Sequence, residues 1–126
     1  MRVRLLILTA AAAALLVAPA AFSHATAPRF KVSLYAPTHN PHVGAKWRYS
    51  IKVTNLVGNP IEATAKQEIR TSRGLKVDVI GWNSFKGSFA RSYRWPAADR
   101  GKDLVFTIRV VGPGGTRILK YAVKVV

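Results

Sequence analysis

The chain has 126 residues, with 20 Lys and Arg against five Asp and Glu, a formal charge of +15, and no cysteine. The missing cysteines exclude a disulfide framework, a thiol nucleophile and a thiolate metal site, so a fold of this size must be held by packing. The charge excess attracts polyanions and anionic surfaces without choosing among them, and it also keeps a small domain dispersed.

The first segment, MRVRLLILTAAAAALLVAPAAFSHATAP, opens with Arg2 and Arg4, continues through an apolar stretch from Leu5 to Ala18 and ends in small residues. That order is the pattern of a cleaved secretory signal peptide, expected as a helix over residues 1–25. The stretch is shorter than the roughly 20 residues of a spanning helix and has no stop-transfer cluster, so no stable membrane span is expected after cleavage. Two cuts satisfy the small-residue rule, one after Ser23 that frees His24 and one after Ala25 that frees Thr26. Residues 26–126 then form one domain, extracellular or associated with the cell envelope. Losing Arg2 and Arg4 leaves 18 basic residues against five acids, a formal +13.

Beyond the leader, period two dominates. FKVSLY, from Phe30, turns Phe30, Val32 and Leu34 inward. WRYSIKVTN, residues 47–55, sets Trp47, Tyr49, Ile51 and Val53 on one face and Arg48, Ser50, Lys52 and Thr54 on the other, as a half-buried strand requires. IEATAKQEIR alternates more weakly, with Ile61, Ala63, Ala65 and Ile69 on the apolar side, and LKVDV from Leu75 is short. LVFTIRV places Leu104, Phe106, Ile108 and Val110 inward, and ILKYAVKVV does the same with Leu119, Tyr121, Val123 and Val125.

Turn residues separate these runs in NLVGNP, TSRG, FKGS, PAADRG and GPGG. No helical periodicity survives outside the leader. About seven strands with turn signals roughly every ten residues predict an all-β, two-sheet antiparallel sandwich, with a small barrel as the competing architecture.

The succession PTHNPHVGAKWRYSIKVTNLVGNPIEA, FKGSFARSYRWPAADRGKDLVFTIRVV and a closing YAVKV resembles the small secreted immunoglobulin-like domains of bacteria. The likeness spans nearly the whole mature chain and rests on structural motifs: P-x-V-G entering a strand, G-x-P-I leaving one, and W-P before a glycine and a strand. It implies a fold and a location, and it supplies no catalytic residues.

Acid–base catalysis needs a positioned pair of titratable groups. Nothing in the sequence pairs Glu62, Glu68, Asp78, Asp99 or Asp103, the last two of which fall in or beside the PAADRGKD turn, where solvated acids belong. No nucleophile elbow, H-E-x-x-H or S-x-x-K motif occurs, so no enzyme is expected. Aromatic residues interleave with arginines around Trp47, Tyr49, Phe89, Tyr93 and Trp95, but most sit on apolar strand faces. Nucleic acid is therefore disfavoured as a partner. Trp82 and Trp95 lie near strand ends, where an exposed ring would mark a sugar or partner surface.

The basic side chains Arg48, Lys52, Lys120 and Lys124 project outward from two strands and would make one patch if those strands shared a sheet. The expected product is a secreted, non-catalytic binding or structural domain without a cofactor. It would contact an anionic cell-envelope or extracellular polymer by multipoint ion pairing through these four residues, aided by Trp82. An alternative is a copper-binding sandwich in which His24, His39 and His42 supply imidazoles and, if His24 is freed, an amino-terminal amine. Against it, Pro37, Asn40 and Pro41 explain PTHNPH as a turn. A third alternative is an accessory domain with a protein partner, contacted through an edge strand or a tryptophan.

Overall fold

Alternation in KWRYSIKVTN sends Trp47, Tyr49, Ile51 and Val53 into the interior and leaves Lys46, Arg48 and Lys52 in solvent. The computed structural model describes residues 29–126; the leader, both cut positions and His24 lie outside the described residues. Seven strands follow in order: β1 (Phe30–Tyr35), β2 (Lys46–Asn55), β3 (Glu62–Thr71), β4 (Lys76–Lys86), β5 (Ser88–Arg94), β6 (Asp103–Gly112) and β7 (Gly115–Lys124). A single 3-10 turn at Ala97–Asp99 occupies the PAADRG connection.

The strands form two antiparallel sheets, sheet A in the order β1-β2-β5 and sheet B in the order β4-β3-β6-β7. The predicted two-sheet sandwich is the one observed. The core joins Phe30, Trp47, Tyr49, Ile51 and Val53 of sheet A to Ala65, Ile69, Phe106, Ile108 and Val110 of sheet B. At its centre Tyr49 meets Phe106 edge-on with ring centroids 4.7 Å apart, and Trp47 meets Phe106 at 5.1 Å and Trp95 at 5.3 Å. Edge-to-face contacts set the negative ring face against a positive edge, adding specificity to the apolar burial.

Among the described residues four polar or charged side chains are buried, Gln67, Glu68, Asp99 and Thr107. Gln67 is fully enclosed, and its side chain accepts from the Tyr49 hydroxyl at 3.0 Å and from Arg91 at 3.2 Å while donating to the Ala65 carbonyl at 2.9 Å. With these partners the amide avoids the penalty of an unsatisfied buried group.

The strand at LKVDV is much longer than its pattern predicts. β4 runs 11 residues because IGWNSFK continues it, and its pairing with β3 shifts register between Gln67 and Glu68 and again between Ile69 and Arg70. Each shift reverses the inward–outward alternation, which hides the strand from a period-two reading.

PTHNPH is more than a turn. His39, Pro41 and Val43 run along the end of β7, with Lys124 N–H donating to the His39 carbonyl at 2.8 Å, Val126 N–H to Pro41 at 2.9 Å and Val43 N–H to Val126 at 3.0 Å. The segment satisfies backbone groups that would otherwise be left open at this sheet edge.

Gly87 makes the corner at which the chain leaves sheet B for sheet A. It has φ +79°, donates to Ile61 and accepts from Val53, and a Cβ there would lie 2.8 Å from the Pro60 side chain. Gly87→Ala is expected to cost more than the roughly 1–2 kcal/mol of left-handed backbone strain, because the clash adds to it. Gly114→Ala, at φ +83° with open space around it, should cost the strain alone. Denaturant midpoints of the two variants test the difference; equal losses would mean the Gly87 corner is not tightly packed.

Candidate polyanion-binding faces

Arg48 and Lys52 lie on the outward face of β2, the central strand of sheet A. Register places Lys52 opposite Ser33 of β1 and Ser88 of β5, Arg48 opposite Ser92, and Lys46 opposite Arg94. With Lys31 of β1, the outward positions of this sheet hold Lys31, Lys46, Arg48, Lys52 and Arg94, all exposed, and β1, β2 and β5 contain no acidic residue. Arg94 donates to the Gly44 carbonyl at 2.7 Å. None of the five enters an ion pair among the described residues. Shallow grooves cross the face, one beside Tyr35, Pro37, Lys46 and Arg48 and another beside Lys31, Ser33, Lys52 and Thr54.

Lys120 and Lys124 belong to β7 of the other sheet, so the four basic residues do not form one patch. The outward faces of two packed sheets point to opposite sides of a sandwich. Lys124 stands in register with Asp103 of β6. Lys120 instead joins a cluster that the sequence did not single out. Around a cleft of about 390 Å³ on the outer face of sheet B stand Lys66 and Arg70 of β3, Lys76 of β4, Arg109 of β6 and Lys120, with Glu68 and Thr107 between them. Trp82 shares this outer face: it is about half exposed, and the Lys66 ammonium sits 5.7 Å from its ring centroid. The clue available in the sequence was the outward parity of Lys66, Arg70 and Arg109. What was missing was that β3, β6 and β7 are neighbours.

Glu68 is 7 % exposed and is gripped by Arg70 at 2.9 and 3.3 Å and by Lys66 at 3.5 Å. Desolvation pushes its carboxyl up, but the hydrogen bonds and charges of Arg70 and Lys66 outweigh this and hold it below the usual carboxylate value. On the core side, burial pushes the Tyr49 hydroxyl up to about 12 despite the opposing charge of Arg91. Tyr93 is raised by burial and by its 3.1 Å hydrogen bond to Asp78. Asp99, expected in solvent, is buried as the last residue of the 3-10 turn, with Lys102 at 3.8 Å.

His39 is occupied structurally. Its ring stacks on Tyr121 with centroids 3.9 Å apart and planes within 5°, and its Nδ1 donates to the Ala122 carbonyl at 2.6 Å. His42 is exposed in the following turn, where its carbonyl accepts from Ala45. Among the described residues no three His, Cys, Asp or Glu side chains cluster as metal ligands would. Trp95 is buried, which removes it as a surface ring and leaves Trp82 exposed.

No family model matches the chain, and no curated protein matches it in sequence. Solved structures do. The CARDB domain of a Pyrococcus furiosus protein, determined in complex with di-metal ions, superposes with a TM-score of 0.52 at 15 % identity, covering 79 % of this chain and 89 % of that one. This is an immunoglobulin-like β-sandwich. A DUF4466 family protein from Parabacteroides merdae gives a TM-score of 0.50 at 14 % identity over 78 % of this chain, which spans only 44 % of that protein's length. At such identities the likeness is one of fold, and sandwiches of one fold serve unrelated functions. Among the described residues no helix is long and apolar enough to cross a membrane.

The lowered carboxyl of Glu68 makes its contribution to stability pH-dependent. A depressed folded value stabilises fully above the unfolded glutamate value of about 4.3 and is lost as pH falls through the folded value. Between neutrality and about pH 3 the wild type should therefore lose stability more steeply than Glu68→Gln, as read from denaturant midpoints. Parallel curves would mean that Arg70 and Lys66 do not favour the ionised carboxyl.

Proposed function

We propose that this chain is a secreted, non-catalytic binding domain that holds anionic envelope or extracellular polymers on the outer face of sheet A. The observation that carries the reading is that face itself: five exposed cations, Lys31, Lys46, Arg48, Lys52 and Arg94, on three strands without a single acid. Elsewhere on the surface, positive charge is partly answered, by Glu68 on sheet B and by Asp99 near the 3-10 turn. On sheet A it is not. Strands about 4.8 Å apart present these charges as a broad, flat field suited to a chain with repeated negative groups, and poorly suited to enclosing a small molecule.

Each exposed ion pair contributes roughly 0.2–1 kcal/mol, so binding is the sum of several weak contacts and is screened within a Debye length of about 8 Å at physiological salt. Arg48 at the strand centre can present a fork to paired oxygens, while Lys31, Lys46 and Lys52 act as point charges. The grooves beside Tyr35 and Pro37 add apolar contact for a sugar ring or polymer backbone.

Retention of the purified protein on a carboxylated polysaccharide matrix, against the uncharged polysaccharide as control, tests the reading. The wild type should bind the carboxylated matrix alone and elute with rising salt. The double variant Arg48→Glu/Lys52→Glu, which removes two attractions and adds two repulsions, should lose about tenfold in affinity. Equal retention on both matrices, or a double variant that elutes with the wild type, would contradict the reading.

A further inference from the structure

We propose that the cleft on the outer face of sheet B is a discrete seat for one tetrahedral oxyanion, a phosphate or sulfate group, separate from the polymer-binding face on the opposite sheet. Its architecture differs from that of a solvated basic strand. Pairing sets Glu68, Thr107 and Lys120 side by side on β3, β6 and β7, and sets Lys66 beside Arg109 in the next outward row. Arg70 and Lys76 close the cleft from β3 and β4. Five cations thus surround one carboxylate. Glu68 engages Lys66 and Arg70, whereas Arg109, Lys120 and Lys76 have no acidic partner among the described residues.

The second observation is at the floor. Thr107 is 9 % exposed and lines the cleft, and its Oγ1 is buried without a hydrogen-bond partner among the described residues. A buried hydroxyl left without a partner costs free energy, and native structures normally satisfy such groups. Because that oxygen is closed to solvent, an oxyanion seated between Arg109 and Lys120 would accept from it once the flanking side chains part. Donors on both sides and beneath suit an acceptor with oxygens in three dimensions better than a planar carboxylate. At about 390 Å³ the cleft also has room for the group that carries the oxyanion.

Glu68 acts as an internal competitor. Its carboxylate occupies Arg70 through two contacts and Lys66 through one, so an incoming anion meets a partly neutralised site. Removing that charge should tighten binding, the reverse of what a glutamate that merely orders the cleft would give. The partnerless hydroxyl makes a second such contrast. Thr107→Val keeps the shape and discards a donor that no described residue uses, so it should weaken the anion without lowering stability.

Calorimetric titration with inorganic phosphate, sulfate and acetate at constant ionic strength tests the proposal. Phosphate and sulfate should bind saturably at one site, and acetate at least tenfold more weakly. Arg109→Ala/Lys120→Ala should reduce phosphate affinity at least tenfold, Thr107→Val severalfold with an unchanged denaturant midpoint, and Glu68→Gln should raise it severalfold. Arg48→Glu/Lys52→Glu should leave it within about twofold, which separates this site from the face on sheet A. Comparing phosphate with a sugar phosphate monoester distinguishes the sources: a tighter monoester assigns the seat to an esterified group, and a tighter free ion to the inorganic anion. Phosphate binding no better than acetate, or a Glu68→Gln variant that binds no more tightly, would overturn the proposal.

Discussion

Without a disulfide, the domain depends on the aromatic contact between its two sheets. Trp47 and Tyr49 of β2 both meet Phe106 of β6, at 5.1 and 4.7 Å between centroids, and Trp95 closes against Trp47 from the chain that leaves β5. These rings lie behind Arg48 on the same strand. Because side chains of a strand alternate, driving Trp47 and Tyr49 inward forces Lys46, Arg48 and Ser50 outward. The core and the basic face of sheet A are thus two consequences of one alternation, and a one-residue slip of β2 would exchange them.

The network beneath this contact ties the sheets in a different way. Gln67 takes hydrogen bonds from Tyr49 and Arg91 of sheet A while sitting on β3 of sheet B. A buried amide with specific partners favours one register of the two sheets over its neighbours, where an apolar residue would tolerate several. The β7 edge of sheet B is closed by backbone. The segment from His39 to Val43 lies along the end of β7, and the His39 ring stacks on Tyr121.

The strands with clean alternation, β1, β2, β6 and β7, could be read from the sequence with their inward residues, because each pairs in register and has one wet face. β4 could not, since two register shifts break its parity and Gly81 interrupts its side-chain pattern. The same limit governed the surface. Arg48 and Lys52 were recognisable as neighbours because they share a strand, but whether Lys120 joined them depended on sheet membership, which no local pattern encodes. Lys66, Arg70, Arg109 and Thr107 converge only once β3, β6 and β7 are known to be adjacent. Trp82 and Trp95 looked alike in sequence and separate in space, one exposed over Lys66 and the other buried against Trp47. In PTHNPH the prolines and Asn40 did signal an irregular segment; its pairing with β7 is a contact across more than eighty residues.

The two charged faces differ in kind. Sheet A offers an open field of unpaired cations, whose attraction is long in reach and sensitive to salt. Sheet B gathers its cations around a carboxylate and a buried hydroxyl, where geometry rather than net charge would choose the ligand. If polyanions meet the first of these, amide chemical shifts recorded while a carboxylated oligosaccharide is added to the isotope-labelled protein, a probe whose groups the sheet B cleft holds weakly, should report it. The expected changes concentrate on the outward residues of β1, β2 and β5, notably Lys31, Arg48, Lys52 and Arg94, and vanish in high salt. Changes confined to sheet B, spread evenly over the surface, or indifferent to salt would contradict the account.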